Sequence, residues 1–167
     1  MMPQSVKSYI RTQEIGPVIG NILCNSLLAW LGNRNMESVT LFGEHSIIID
    51  TAITSIIASL LVTLFASSGV YRDLKAGRIE IPVNIPRTKS ILFRLPRNPW
   101  SLGLILGTGI AVVLVALLLA VFRLFHIPGI PFREFLVFKV VYTGLLGFVV
   151  ARWTILQQLA HSDSEKR

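Results

Sequence analysis

SIIIDTAITSIIASLLVTLFASSGV, residues 46–70, decides how this chain is to be read. Twenty-five residues pass with one charged side chain, Asp50. A helix rises about 1.5 Å per residue, so about 20 apolar residues cross the ~30 Å hydrocarbon layer of a bilayer. The run is continuous rather than alternating, which favours a spanning helix over a barrel strand. It is also two-sided. Asp50, Thr54 and Ala58 climb one stripe and Thr51, Ser55, Ser59 and Thr63 the next, while Ile49, Ile53, Ile56, Leu60 and Leu64 lie opposite. The expectation is that lipid meets the Ile/Leu side and that the polar side faces other helices or water.

Outward from this stretch, three more apolar runs appear at residues 15–31, 101–122 and 135–156. Pro17 falls in the first turn of its run, where a missing N–H costs little. The whole chain has 167 residues, 52 % hydrophobic and only 15 % charged, with mean hydropathy +0.63. Soluble domains carry about 25 % charge. The sequence therefore predicts an all-α integral membrane bundle of four transmembrane helices, a single domain over residues 15–156. Residues 1–14 and 157–167 are read as tails, the first as a frayed segment or a short interfacial helix. A single cysteine, Cys24, rules out an intrachain disulfide framework.

Basic residues set the orientation. The net charge is +7, and the segment 72–99 alone holds Arg72, Lys75, Arg78, Arg87, Lys89, Arg94 and Arg97. With the termini this puts twelve Lys and Arg on one side against four on the other. Both termini and the 72–99 loop are expected to be cytoplasmic. Trp30, Trp100 and Trp153 all fall at span ends, where interfacial aromatics belong. Four prolines and Gly77 make the loop an extended connector. Ile91, Leu92, Phe93 and Leu95 among its cations suit an anionic lipid surface, where each cation contributes about 1 kcal/mol. Plain topology control by positive charge is the simpler and leading reading of the loop. No nucleic acid is expected, because no recognition fold fits.

Small residues recur four apart. Gly16 and Gly20, Gly103 and Gly107, and Gly147 with Ala151 are read as helix-packing rows. Lys139, Thr143 and Gly147 share one face of the last span, so the lysine is expected to point into the bundle. Asp50 and Lys139 each lie four residues into their spans, about 6 Å from the same surface. Asn25, four residues from Asn21, reaches nearly the same depth from the other direction. Charges inside a span are costly and pair or face a cavity. An Asp50–Lys139 ion pair flanked by Asn21, Asn25 and Thr54 is the candidate site. A purely structural reading stands beside it, with Asp50 held by the helix dipole and Lys139 snorkelling.

Residues 21–30 (NILCNSLLAW), then Ser46, Asp50, Thr51 and Thr54, then Tyr71-Arg72-Asp73 through Gly77-Arg78 resemble a group of small four-span bacterial membrane proteins, some loosely labelled permeases. The resemblance covers roughly half the chain. It implies a bacterial inner (plasma) membrane, singles out Asn21, Asn25 and Asp50, and carries no activity with it.

Two function classes follow. One is an oligomeric permease or channel-like protein built around the polar layer. The other is a non-catalytic accessory or assembly subunit of a larger membrane complex, docking partners through its glycine rows and basic loop. Partners are thus the bilayer, anionic lipid at the cytoplasmic face, and other copies or other subunits. An enzyme is not expected, since phosphate loops, zinc motifs and nucleophile elbows are missing; a lipid-modifying enzyme is the weakest reading for that reason. No cofactor or metal is expected either: His45 and His126 fall in or beside loops rather than on facing helices.

Overall fold

A computed structural model describes residues 4–43, 46–78 and 95–165. Helix α1 runs Gln4–Asn33, strand β1 Ser38–Thr40, α2 Ile47–Lys75, α3 Pro99–Leu124, β2 Gly129–Pro131 and α4 Phe132–Glu165. All four helices are long and apolar enough to cross a membrane.

Local chemistry sets the ends. Ser46 caps α2 by accepting a hydrogen bond from the Ile49 N–H at 3.2 Å, and Asp50 follows in the first turn, where the dipole favours an anion. The helix closes in a Schellman turn. Gly77 takes φ +66°, its N–H reaching Leu74 O, while the Arg78 N–H reaches Asp73 O. Helix α3 starts with the Asn98 side chain accepting from the Trp100 N–H, and with Pro99 at its first position. Its end repeats the Schellman pattern with His126 at φ 52°, a conformation costing a side-chain-bearing residue about 1–2 kcal/mol.

Helix α1 packs antiparallel on α4 and α2 antiparallel on α3, while α2 and α4 lie parallel, contacts stepping from Asp50–Lys139 to Thr63–Thr154; α3 scarcely meets α4. Glycines explain how close α3 comes. A Cβ on Gly107 would lie 2.8 Å from Ile56 Cα, and one on Gly103 2.8 Å from Leu60 Cα. Ile56, Leu60 and Leu64 are therefore half-covered, and the open apolar face of α2 is Ile49, Ile53, Ile57, Leu61 and Phe65. The α1–α4 seam uses Gly147, whose Cβ would meet Val18 Cα and Asn21 Cβ at 3.4 Å. Gly16 and Gly20 differ from the sequence expectation. They face outward with nothing within 4 Å, because the α1–α4 contact runs along Val18, Asn21 and Ile22 instead.

Two further departures concern the ends of the bundle. Helix α1 starts at Gln4, so the amino segment offered as frayed or as a short separate helix is continuous with the first span, and α4 continues past 156 to Glu165. Burial supports the extensions: Ile10 packs with Ala66, Val70, Ile155 and Leu159. The fold is also not purely helical. β1 pairs antiparallel with β2, matching Ser38 to Pro131, Val39 to Ile130 and Thr40 to Gly129. Gly129 permits this, since a Cβ there would fall 2.6 Å from Val39 O. The ribbon ties the α1–α2 and α3–α4 connectors together. That end of the bundle is called the strand end below.

Candidate functional site

Lys139 stands about two turns into α4 from the strand end and is 1 % exposed. Its ammonium donates to Asp50 Oδ2 and to Thr54 Oγ1, the latter at 2.6 Å, both on α2. The rings of Phe135 and Tyr142 flank it at 6.0 and 5.8 Å. The charge is thus fully enclosed and held by one anion, one hydroxyl and two ring faces.

Asn21 and Asn25 belong to the same layer but do not touch the ion pair. Asn21 Nδ2 donates to Thr143 O at 2.6 Å, and Asn25 Nδ2 donates to Asn21 O at 2.8 Å and to Asn21 Oδ1 at 2.7 Å. Thr143 Oγ1 in turn donates to Lys139 O at 2.7 Å. The amides therefore brace α4 beside the lysine through its backbone. The sequence brings Asn21, Asn25, Asp50, Thr54 and Lys139 into one layer, with the contacts divided between the α1–α4 and α2–α4 seams.

A cavity of about 330 Å3 opens over this layer between α1 and α2. Asn25 and Asn33 line it from α1, Ser46, Asp50 and Thr54 from α2, and Lys139 from α4. Leu28, Ile49, Ile53 and Ile57 on its rim are all exposed, so it opens sideways. The two ionic partners differ in surroundings: the Asp50 side chain is 31 % exposed and that of Lys139 2 %. Beyond the layer the α2–α4 seam closes. Thr51, Ser55 and Thr63 are fully buried, the Ser55 and Tyr142 hydroxyls share a hydrogen bond, and Tyr142 also donates to Thr51 O at 3.1 Å. Ser59 Oγ and Thr51 Oγ1 have no hydrogen-bond partner among the described residues.

At the opposite end lies a second polar group, built on Asp73 and Arg78 of the 71–78 stretch, to which the sequence assigned no site role. Asp73 Oδ2 accepts from the Tyr9 hydroxyl at 3.1 Å and from Gln13 Nε2 at 2.9 Å, while Oδ1 lies 3.5 Å from Arg78. Glu14, 4 % exposed, lies 3.9 Å from Arg152. The signal was the spacing of Glu14, Asn21 and Asn25, which fall on one helical stripe. Of the basic loop, Arg72, Lys75, Arg78 and Arg97 are exposed; Arg87, Lys89 and Arg94 lie outside the described residues.

No family model matches the chain, and neither do curated proteins or solved structures, so the site is read from its own geometry.

Proposed function

We propose that this is a multi-pass protein of a bacterial inner membrane, with both termini and residues 72–99 cytoplasmic, and that it works as an oligomeric permease-like protein around the Asp50–Lys139 layer. The observation that carries the reading is the cavity. A purely structural ion pair is enclosed on every side, whereas here the carboxylate opens into a space large enough for a small solute. Charged groups held at membrane depth beside a cavity mark solute or ion pathways.

The closed α2–α4 seam beyond the layer means that passage requires the pair to break or a second copy to complete the route. The Ser59 and Thr51 hydroxyls, unpartnered among the described residues, make that seam open to rearrangement, since a buried unsatisfied polar group costs about 1–3 kcal/mol. Purified protein in liposomes should support saturable solute exchange. Asp50→Asn and Lys139→Met should each reduce it at least about tenfold, the effect of losing one charge-assisted contact, while the helical spectrum is kept. Absence of exchange by the wild-type chain, for cationic, anionic and neutral solutes alike, sinks the proposal.

One observation favours the accessory reading. Helices α3 and α4 leave between them an apolar groove of about 800 Å3, lined by Val113, Leu114, Val137, Phe138, Val141 and Leu145 among others. A subunit of a larger complex would seat a partner helix there, and would then copurify with that partner in mild detergent and show no exchange alone.

A further inference from the structure

The cavity over the ion pair is one-sided in the charge it exposes, and this names a substrate class for the permease reading on which the inference rests. Asn25 commits its amide nitrogen to Asn21 O, a backbone oxygen that can only accept, and to Asn21 Oδ1. Its carbonyl oxygen is what remains for a ligand. Asn33 likewise spends an amide hydrogen on Ala29 O, at 3.1 Å. Lys139 gives two of its three protons to Asp50 Oδ2 and Thr54 and stands 1 % exposed behind them. Asp50 keeps Oδ1 without a partner among the described residues, on a side chain 31 % exposed where the cavity opens. The polar floor thus offers a carboxylate oxygen and amide carbonyl oxygens; its donors facing them are neutral, the Ser46 and Thr54 hydroxyls and the second amide hydrogen of Asn33, and its one ammonium is already engaged.

We infer that the site takes a small organic ammonium ion carrying N–H donors. The head sits on Asp50 Oδ1 and the Asn25 carbonyl, and an apolar body lies along Leu28, Ile49 and Ile53 on the open rim. Such a cation competes with Lys139 for one carboxylate. Binding therefore loosens the tie between α2 and α4, and a ligand that favours the loosened state shifts the bundle toward it. An anion has no such place. To reach Lys139 it must displace Asp50 from a buried ammonium and approach the carboxylate that the cavity exposes.

Titration calorimetry on the full chain in lipid nanodiscs tests this with three probes of similar body: n-butylammonium, butyltrimethylammonium and butyrate. Butylammonium should bind saturably and about tenfold tighter than butyltrimethylammonium, which lacks N–H donors, with no binding of butyrate. Asp50→Asn should abolish the binding. Asn25→Leu, which leaves the ion pair in place, should weaken it about tenfold while the helical spectrum is kept. Butyrate binding as tightly as butylammonium overturns the inference, and so does a folded Asp50→Asn protein that binds butylammonium like the wild type. Liposome counterflow separates the two readings. Butylammonium binding without counterflow of any solute upholds the site and overturns the permease. Counterflow of an anion or a sugar without butylammonium binding does the reverse.

Discussion

Asp50 and Lys139 are partners with unequal surroundings, and the inequality has a measurable consequence. Removing the acid leaves an ammonium that is 2 % exposed with no counter-charge, whereas removing the lysine leaves a carboxylate that still opens to the cavity. Stranding one member of a buried pair costs about 3–5 kcal/mol, and replacing both with apolar groups of similar size is often neutral. Asp50→Leu is therefore expected to lower stability toward the top of that range and Lys139→Met by clearly less. The Asp50→Leu/Lys139→Met double variant should recover most of the loss. Unfolding in mixed micelles measures all three, and strictly additive losses would show that the two groups do not act as a pair. Much of this was legible in advance. Lys139 shares its stripe with Thr143 and Gly147, and both charges lie four residues from the same expected surface, so helical geometry alone brought them together. What escaped notice was how the asparagines are used. Their reach to Thr143 O depends on how closely α1 approaches α4, and the spacing within α1 does not encode that distance.

Glycine rows have the same appearance in sequence whether they face a neighbour or not, and this protein contains both kinds. Gly103 and Gly107 hold α3 against the α2 backbone, while Gly16 and Gly20 face open space. The two pairs should respond oppositely to the same substitution. Gly107→Ala places a Cβ 2.8 Å from Ile56 Cα and 3.0 Å from Ser55 O, backbone atoms that a rotamer change cannot move aside. A cost of about 1–3 kcal/mol is expected, read as a lower unfolding midpoint. Because α2 is the main support of α3, the loss should appear as detachment of α3, visible as faster proteolysis of its flanking connector. Gly20→Ala meets nothing and removes a flexible residue from a helix, so it should leave the midpoint unchanged or raise it by up to about 1 kcal/mol. Elements were otherwise readable from hydropathy, with two misses that share a cause. The extended helix ends at Tyr9, Gln13 and Gln157 are held by polar partners on other segments, Asp73 for the first two and Leu95 O and Pro96 O for the third. The β1–β2 ribbon is three residues long on each side, too short for alternation to show, and exists because two distant connectors meet.

At the scale of the whole molecule, the bundle has two chemically different ends. One carries the short ribbon, the mouth of the cavity and the exposed Arg123 and Arg133. The other carries Arg72, Lys75, Arg78 and Arg97, the Asp73 cluster and the Glu14–Arg152 pair. Lys and Arg resist translocation and gather on the cytoplasmic side, so this second end is expected inside and the cavity to open toward the outer half of the bilayer. Single-cysteine labelling decides the matter without disturbing the charge balance. In a Cys24→Ser background, Ser38→Cys marks the ribbon and Ala76→Cys marks the end of α2; both positions are exposed and uncharged. A membrane-impermeant maleimide applied to intact cells should react at position 38 and reach position 76 only after permeabilisation. The reverse pattern would invert the bundle and turn the cavity toward the cytoplasm. On the permease reading proposed above, the Asp50–Lys139 layer would then receive its solute from inside the cell.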